Sequence, residues 1–370
     1  MSVLSSRPVL RWVVPVAAAA TVIGGGAAIG TFAAEAEPSL PPRTAAQLLV
    51  DLQTSQLEGL SGTVVQRADL GLPPIAGLAA GANEIAALAT GTHTLRVWYS
   101  GPERQRVALL DTLGERDIIH NGRDVWTWDS RANAATHRTL GQDAAGKPGA
   151  AHEGAPELPS TPQEAADLAL AAIDPTTAVS VGRAATVAGR DAYELVLEPR
   201  DKASLVHQLR IAIDAREHVP LRFEVFATGS DQPAFEVAFT QVDFRRPDAD
   251  QFTFNPPPGA TVKEETADRP DAPTRRHEAE QHPQVRTVGT GWTTVVEARV
   301  DGADAPGAAG AKSPAGDELA GALGSLPAVS GDWGSGRLFT TKLVTVLLTD
   351  DGRVLAGAVT PERLYEVARG

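Results

Sequence analysis

The chain has 370 residues, enough to bury a sizeable core and to hold two domains. Its 46 acidic against 33 basic residues give a net charge of −13 with no cluster of Lys and Arg, which excludes the electrostatic footprint of a nucleic-acid binder. There is no cysteine, so disulfides, thiol chemistry, Cys-ligated metals and a lipid-modified N-terminal cysteine are excluded together.

Arg7 and Arg11 precede an uncharged run from Trp12 to Ala34. The run exceeds the roughly 7–15 residues of a signal-peptide core and reaches the roughly 20 that span a bilayer. Residues 1–36 therefore read as a signal peptide or an N-terminal membrane anchor. Length favours the anchor, whereas the Gly24-Gly25-Gly26 interruption and the small-x-small pattern Ala34-Glu35-Ala36 favour cleavage. Either way the arginines hold the short end inside and place the bulk of the chain outside the cytoplasm.

Thr44-Ala45-Ala46-Gln47 has the form of a capping box, and Ala45, Leu48, Leu49 and Leu52 recur at helical spacing, which predicts a helix over Ala45–Leu57. A strand begins at Thr63. Residues 69–91 are apolar but broken by Gly and Pro, and they read as an apolar loop or flap with a short helix at Asn83–Ala89. Short strands follow from Thr92 to Leu140, with turn signals at roughly the eight- to twelve-residue spacing of an all-β unit. Asn121-Gly122 marks a hairpin, because both residues tolerate positive φ. Residues 141–160 are low-complexity loop, and Thr161-Pro162 opens a second helix with Ala165, Leu168, Ala169 and Ala172 as its apolar stripe.

The most regular stretch is 187–262. Tyr193, Leu195 and Leu197, then Leu209, Ile211 and Ile213, then Val219, Leu221, Phe223 and Val225, then Phe235, Val237 and Phe239 each occupy alternate positions. Alternate side chains share a face of a strand, so these blocks predict an antiparallel meander with one apolar side. The prolines at 256–258 are expected to stop pairing. Residues 263–284 are charged and Pro-containing and read as a linker. Residues 285–370 read as a small α+β module, with strands at Trp292–Val300, Leu338–Leu348 and Val354–Val359, a helix at Glu318–Leu323, and a closing helix after Thr360-Pro361.

Catalytic constellations are missing from the sequence. There is no paired-His metal spacing and no GxSxG elbow, and Gly141–Lys147 lacks the hydroxyl residue and preceding strand of a phosphate loop. His137, His152, His277 and His282 fall in polar, loop-like sequence and read as solvated. Asp350-Asp351-Gly352 reads as a turn. No enzyme activity, metal or cofactor is expected. What remains is an apolar cavity, for which the candidate lining is Leu95, Val97, Tyr99, Trp126, Trp128, Tyr193, Leu195, Leu209, Ile211, Leu221, Phe223, Phe235 and Val237. Ordinary core packing is the competing reading of every one of these side chains.

Tyr99–Asp129 with IIHNGRDVWTWD, GRDAYELVLEP at 189–199, VPLRFEVF at 219–226 and FTFNPPPGATV at 252–262 resemble the LolA-like family of outer-membrane lipoprotein carriers over residues 44–262. The resemblance implies an α+β fold, a curved antiparallel incomplete β-barrel with helices closing its concave apolar face, and non-covalent binding of a lipid or lipoprotein acyl chain there. The N-terminal apolar segment, the loop at 141–160 and the module after residue 284 depart from the carrier pattern. A sheet domain followed by a small second domain is similar to periplasmic sigma-factor regulators of the MucB/RseB type, which implies a membrane-protein partner engaged through the C-terminal domain. A structural cell-envelope domain with a filled core is the plain alternative.

Overall fold

A computed structural model describes residues 38–55, 57–71, 90–111, 114–141, 161–171, 173–265, 285–299 and 324–370. The apolar N-terminal run, the helix expected at Asn83–Ala89, the low-complexity loop and the helix expected at Glu318–Leu323 lie outside the described residues. Among those described, no helix is long and apolar enough to cross a membrane.

The large sheet is built from β1 (Leu60–Asp69), β2 (Thr90–Tyr99), β3 (Arg104–Asp111), β4 (Gly114–Asn121), β5 (Asp124–Asp129), β6 (Ala134–Thr139), β7 (Thr177–Val181), β8 (Ala185–Val187), β9 (Arg190–Pro199), β10 (Val206–Asp214), β11 (Pro220–Ala227), β12 (Pro233–Asp243) and β13 (Thr261–Glu265). Its order is β13-β6-β5-β4-β3-β2-β1-β12-β11-β10-β9-β7, with β8 also on β9. The end strands β7 and β13 do not pair with each other, so the sheet is not closed into a barrel. The predicted meander is present as β9 to β12, every neighbour antiparallel. It joins the first strand group through β1 and β12, where a bulge falls between Thr63 and Val64. Gly62 sits beside that bulge, and a Cβ there would lie 2.8 Å from the Phe239 ring and 2.5 Å from the Gln241 carbonyl oxygen, so the missing side chain makes room for both.

One expectation is met with a shift and another fails. The expected hairpin between β4 and β5 is present, but it turns on Gly122-Arg123 rather than Asn121-Gly122. Gly122 takes φ +64°, and Asn121 stays in the ladder opposite Asp124. The prolines at 256–258 do not end pairing: the chain resumes as β13, which runs parallel to β6 from Thr261↔Ala134 to Glu265↔Arg138. Lys263, Glu264 and Glu265, assigned by composition to a linker, are therefore strand residues. Proline lacks a donor but cannot silence the residues after it.

Helix α1 (Ala45–Thr54) carries the expected capping box, with Thr44 Oγ1 accepting from Gln47 N–H at 3.2 Å and Gln47 Oε1 accepting from Thr44 N–H at 2.8 Å. It ends at Thr54, a turn short of the predicted Leu57. Helix α2 (Pro162–Ala171) packs on β11 and β12, and α1 packs on β7 and β9. Leu48, Leu52, Ala165 and Ala166 enter the same core cluster as the meander.

A second sheet has the order β14-β15-β19-β18-β17-β16. Its strands are β14 (Val285–Val288), β15 (Val295–Arg299), β16 (Ala328–Gly331), β17 (Gly334–Thr340), β18 (Thr345–Thr349) and β19 (Arg353–Gly357). The strand predicted over Leu338–Leu348 is two strands. Thr341 Oγ1 accepts from Leu343 N–H at 3.3 Å and Val344 N–H at 2.9 Å, a hydroxyl-stabilised turn that breaks the run. Helix α3 (Pro361–Arg369) lays Leu364, Val367 and Ala368 against Val295, Leu347 and Leu355.

The second sheet packs on the first. Ser204 and Val359 form a β-bridge, flanked by Leu205 N–H to Ala358 O at 2.9 Å and Thr360 N–H to Ala203 O at 2.8 Å. Trp292 is buried in the large core and donates Nε1–H to Thr177 Oγ1 at 2.8 Å. Lys342 pairs with Asp69 at 2.6 Å, and its backbone N–H reaches Leu70 O at 2.7 Å.

Candidate functional site

Register fixes which candidate residues share a face. Val64 opposes Leu95, Leu95 opposes Leu109, Val97 opposes Val107, and Val107 opposes Ile118. On the other side Val64 opposes Phe239, Val237 opposes Phe223, Phe223 opposes Ile211, and Ile211 opposes Leu195. Leu95, Val97, Tyr99, Tyr193, Leu195, Leu209, Ile211, Leu221, Phe223, Phe235 and Val237 thus stand on one side of the sheet and belong to one cluster. The structure brings these together.

It does not bring Trp126 and Trp128 to them. Trp126 pairs with Ile119, which is out of phase with Ile118, so both tryptophans point to the opposite side. There they pack on Phe254, at ring separations of 5.2 and 5.8 Å, and Trp126 stacks on His137 at 4.2 Å. Arg106 lies over Trp98 at 5.0 Å and pairs with Asp117 at 2.8 Å on the same side. The segment after β12 crosses this side and buries Phe252, so the tryptophans serve as the anchor for that crossing. As lining of a cavity shared with Leu95 and Val97 they are corrected.

His137 is also not solvated. It sits in β6 with Nδ1 2.7 Å from Glu264 on β13 and Nε2 2.9 Å from Asp124 on β5. Partial burial opposes its charge, but the two carboxylate hydrogen bonds outweigh this and raise its pKa.

Exposure grades along the core face. Leu195, Ile211, Leu221 and Val237 have none. Tyr99, Val107, Leu109 and Ile118 keep part of theirs, and Thr127, opposite Ile118, is exposed. The apolar face is thus closed over β9 to β12, where Val225 alone of the meander's alternating apolar residues is part-exposed, and at Leu95 and Val97 on β2, and it opens toward β3 and β4. The burial of helix α1 and α2 side chains falls on the closed half.

Two polar residues on this face were not singled out from sequence. Gln66 and His93 oppose each other across β1 and β2, in phase with Val64 and Leu95. Gln66 is buried, and burial pushes the His93 imidazole below its ordinary pKa despite the nearby Asp111 charge. The signal was present: His93 lies two positions before Leu95 in the alternating run HTLRVWY.

The reverse face of the meander carries charge. Glu224 faces Glu236 and Arg210 across the ladders and lies 3.2 Å from Arg222 Nε. Burial, offset by Arg222, pushes its carboxyl up to about 7. Asp214, fully buried, accepts from Arg190 and from the Arg216 and Glu217 N–H groups at 2.9 and 2.7 Å; burial works against its charge, yet these bonds hold its pKa down. These groups fix the β9–β10 end rather than face the apolar side.

No family model matches the chain, and no curated protein matches it. Among solved structures it is similar to MucB in the Pseudomonas aeruginosa MucA/MucB complex, with 15% identity, a TM-score of 0.41, and coverage of 88% of this chain and 96% of that one. It is similar to a LolA superfamily protein from Nitrosomonas europaea, with 13% identity, a TM-score of 0.23, and coverage of 58% and 99%. An uncharacterized conserved protein from Thermus thermophilus shows 12% identity, a TM-score of 0.34, and coverage of 60% and 99%. The solved structures similar to this chain thus include a LolA superfamily protein, the family its strand motifs resemble, and MucB, whose two-domain layout it resembles.

Proposed function

We propose that this chain is a non-catalytic, extracytoplasmic protein that binds a lipid or lipoprotein acyl chain on the core face of its large sheet. The observation that carries the reading is the gradient on that face, from fully buried Ile211 and Leu221 to part-exposed Tyr99, Val107, Leu109 and Ile118. A chain that buries an apolar face over one half and leaves it part-open over the other presents a surface for a hydrocarbon chain. The acyl chain would lie over β2 to β4 and enter from the β4–β5 side. Residues 1–36 would direct export and, if kept, tether the chain to the membrane.

A second reading is favoured by the docking of the second sheet. Trp292 and the Ala203–Leu205 contacts tie it to β7 and to the β9–β10 connection, so a partner bound to residues 285–370 would act on the core strands directly. On this reading the chain is a regulatory module that senses lipid with one sheet and binds a membrane protein with the other.

Native mass spectrometry of the protein purified from cells tests the first reading. Co-purified lipid, released by substituting Leu109 or Ile118 with Asp, is the expected result. A ligand-free protein that also fails to take up fluorescent fatty-acyl probes contradicts it.

A further inference from the structure

Strand β13 adds almost nothing to the core. Thr261, Val262, Lys263 and Glu264 are exposed and Glu265 is part-exposed, so the strand is held by its ladder to β6 and by a few polar contacts. At its start Thr261 N–H donates to Asn133 O at 2.9 Å, and Asn133 Nδ2–H donates to Gly259 O at 2.9 Å. Further along, His137 of β6 places Nδ1 2.7 Å from Glu264 and Nε2 2.9 Å from Asp124. A neutral imidazole has one N–H and can serve only one of two carboxylates, whereas the imidazolium donates to both. The arrangement therefore selects the charged ring, and Trp126, stacked on it at 4.2 Å, favours a cation as well. We propose that β13 is a proton-held strap on the edge of the large sheet, closed while His137 is charged and loosened over Val262 to Glu265 when the ring loses its proton.

The charges around His137 set the direction. Asp124 faces it from β5 and Glu264 from β13. Arg138, next in β6, projects to the other side of the sheet, in register with Glu265, which pairs with Lys263 of its own strand at 2.6 Å. Partial burial works against the charge on His137, but the two carboxylates overcome it, so the folded pKa lies above the unfolded one. The strap's stabilisation is therefore fully present below the unfolded value and is lost as pH rises through the folded one. Once the proton has left, one carboxylate faces an imidazole lone pair. Asp124 is fixed by ladders on both sides, to Asn121 and to Thr139, while Glu264 stands on a terminal strand, so β13 is the part that yields. Phe254, packed on Trp126 and Trp128, keeps the preceding segment in place. The loosened strap uncovers the backbone groups of β6 that pair with it, an open sheet edge.

The test is hydrogen exchange of the full chain between pH 5.5 and pH 8, corrected for the intrinsic exchange rate. Protection of Val262–Glu265 should fall by roughly 2- to 5-fold over that range, the scale of an exposed ion pair. His137→Gln, whose amide carries no charge at either pH, should abolish this response in β13 while leaving the pH response of Leu209–Ile213 in β10 as in the wild type. Lys263→Gln should keep the β13 response, because the Lys263–Glu265 pair lies within the strand and does not tie it to β6. Ring nitrogen chemical shifts of the wild type give a reading that needs no variant: His137 should carry both N–H protons at pH 6 and titrate above an ordinary histidine. Protection of β13 that is the same at both pH values in the wild type, or a β13 response that survives His137→Gln, overturns the proposal. So does a neutral His137 ring at pH 6.

Discussion

The two halves of the large sheet carry the same kind of face and treat it differently. Leu195, Ile211, Leu221 and Val237 have no exposed area. Tyr99, Val107, Leu109 and Ile118, on the same face two to seven strands away, remain part-exposed. Alternation decides which side chains share a side, but neighbours decide whether that side is sealed. Helices α1 and α2 lie on β7, β9, β11 and β12, and the second sheet abuts β7 and the end of β1. One half is sealed core, and the other is part-open, where the acyl chain is proposed to lie.

The largest expected effect that separates the halves is on stability. Leu221→Asp should abolish cooperative unfolding followed by circular dichroism, because a fully buried carboxylate there has no partner. Ile211→Ala should cost about 2–5 kcal/mol in urea denaturation. Leu109→Ala should cost only about 1 kcal/mol, yet weaken acyl-probe binding more than any substitution of similar cost in β9 to β12. Equal costs at Ile211 and Leu109 would erase the distinction.

Trp292→Ala should follow, at about 3–5 kcal/mol, and Trp292→Phe should cost roughly 1 kcal/mol through the bond to Thr177. If calorimetry of Trp292→Ala shows the second sheet unfolding in a separate transition, the contact is what couples the two sheets. A variant with wild-type Tm contradicts that.

Much of this comparison is written in the sequence. The alternation of Tyr193 to Phe239 specifies the meander and its apolar side, and Thr44-x-x-Gln47 specifies the start of α1, because both depend on contacts a few residues apart or on strict periodicity. The side taken by Trp126 and Trp128 depends on register carried across several ladders, and each strand's own alternation is silent about it. The return of β13 to β6 is a pairing of residues more than a hundred positions apart, anchored by Phe254 on the two tryptophans. Nothing local to Thr261–Glu265 encodes it. The division of the expected strand at Leu338–Leu348 turns on the hydroxyl of one threonine, Thr341, in a run of otherwise good strand formers.

A smaller effect separates the two sides of the meander. The folded state holds the proton on Glu224 more tightly than the unfolded chain does, so this contribution to stability is fully present below the ordinary glutamate value and is lost as pH rises through about 7. Glu224→Gln should therefore gain on the wild type between those values, by about 1–3 kcal/mol once both are above pH 8. Denaturation curves with parallel pH dependence would contradict this.

The smallest effect concerns the far edge. With its pKa raised, His137 stabilises the β13 contact below its unfolded value, and this is lost as pH rises through the folded one. His137→Gln should remove about 0.2–1 kcal/mol, more at pH 5.5 than at pH 8. Amide exchange in Thr261–Glu265 reads it directly, and exchange that does not respond to pH beyond its intrinsic rate would contradict a role for the His137–Glu264 contact in holding β13.

The acyl chain is proposed to lie on the core face over β2 to β4 and not against the tryptophan side. Photo-crosslinking with a diazirine-bearing acyl ester, followed by peptide mapping, tests it most directly. Adducts on Tyr99, Val107, Leu109 or Ile118 are the predicted result; adducts confined to Trp126, Trp128 and Phe254 would contradict it.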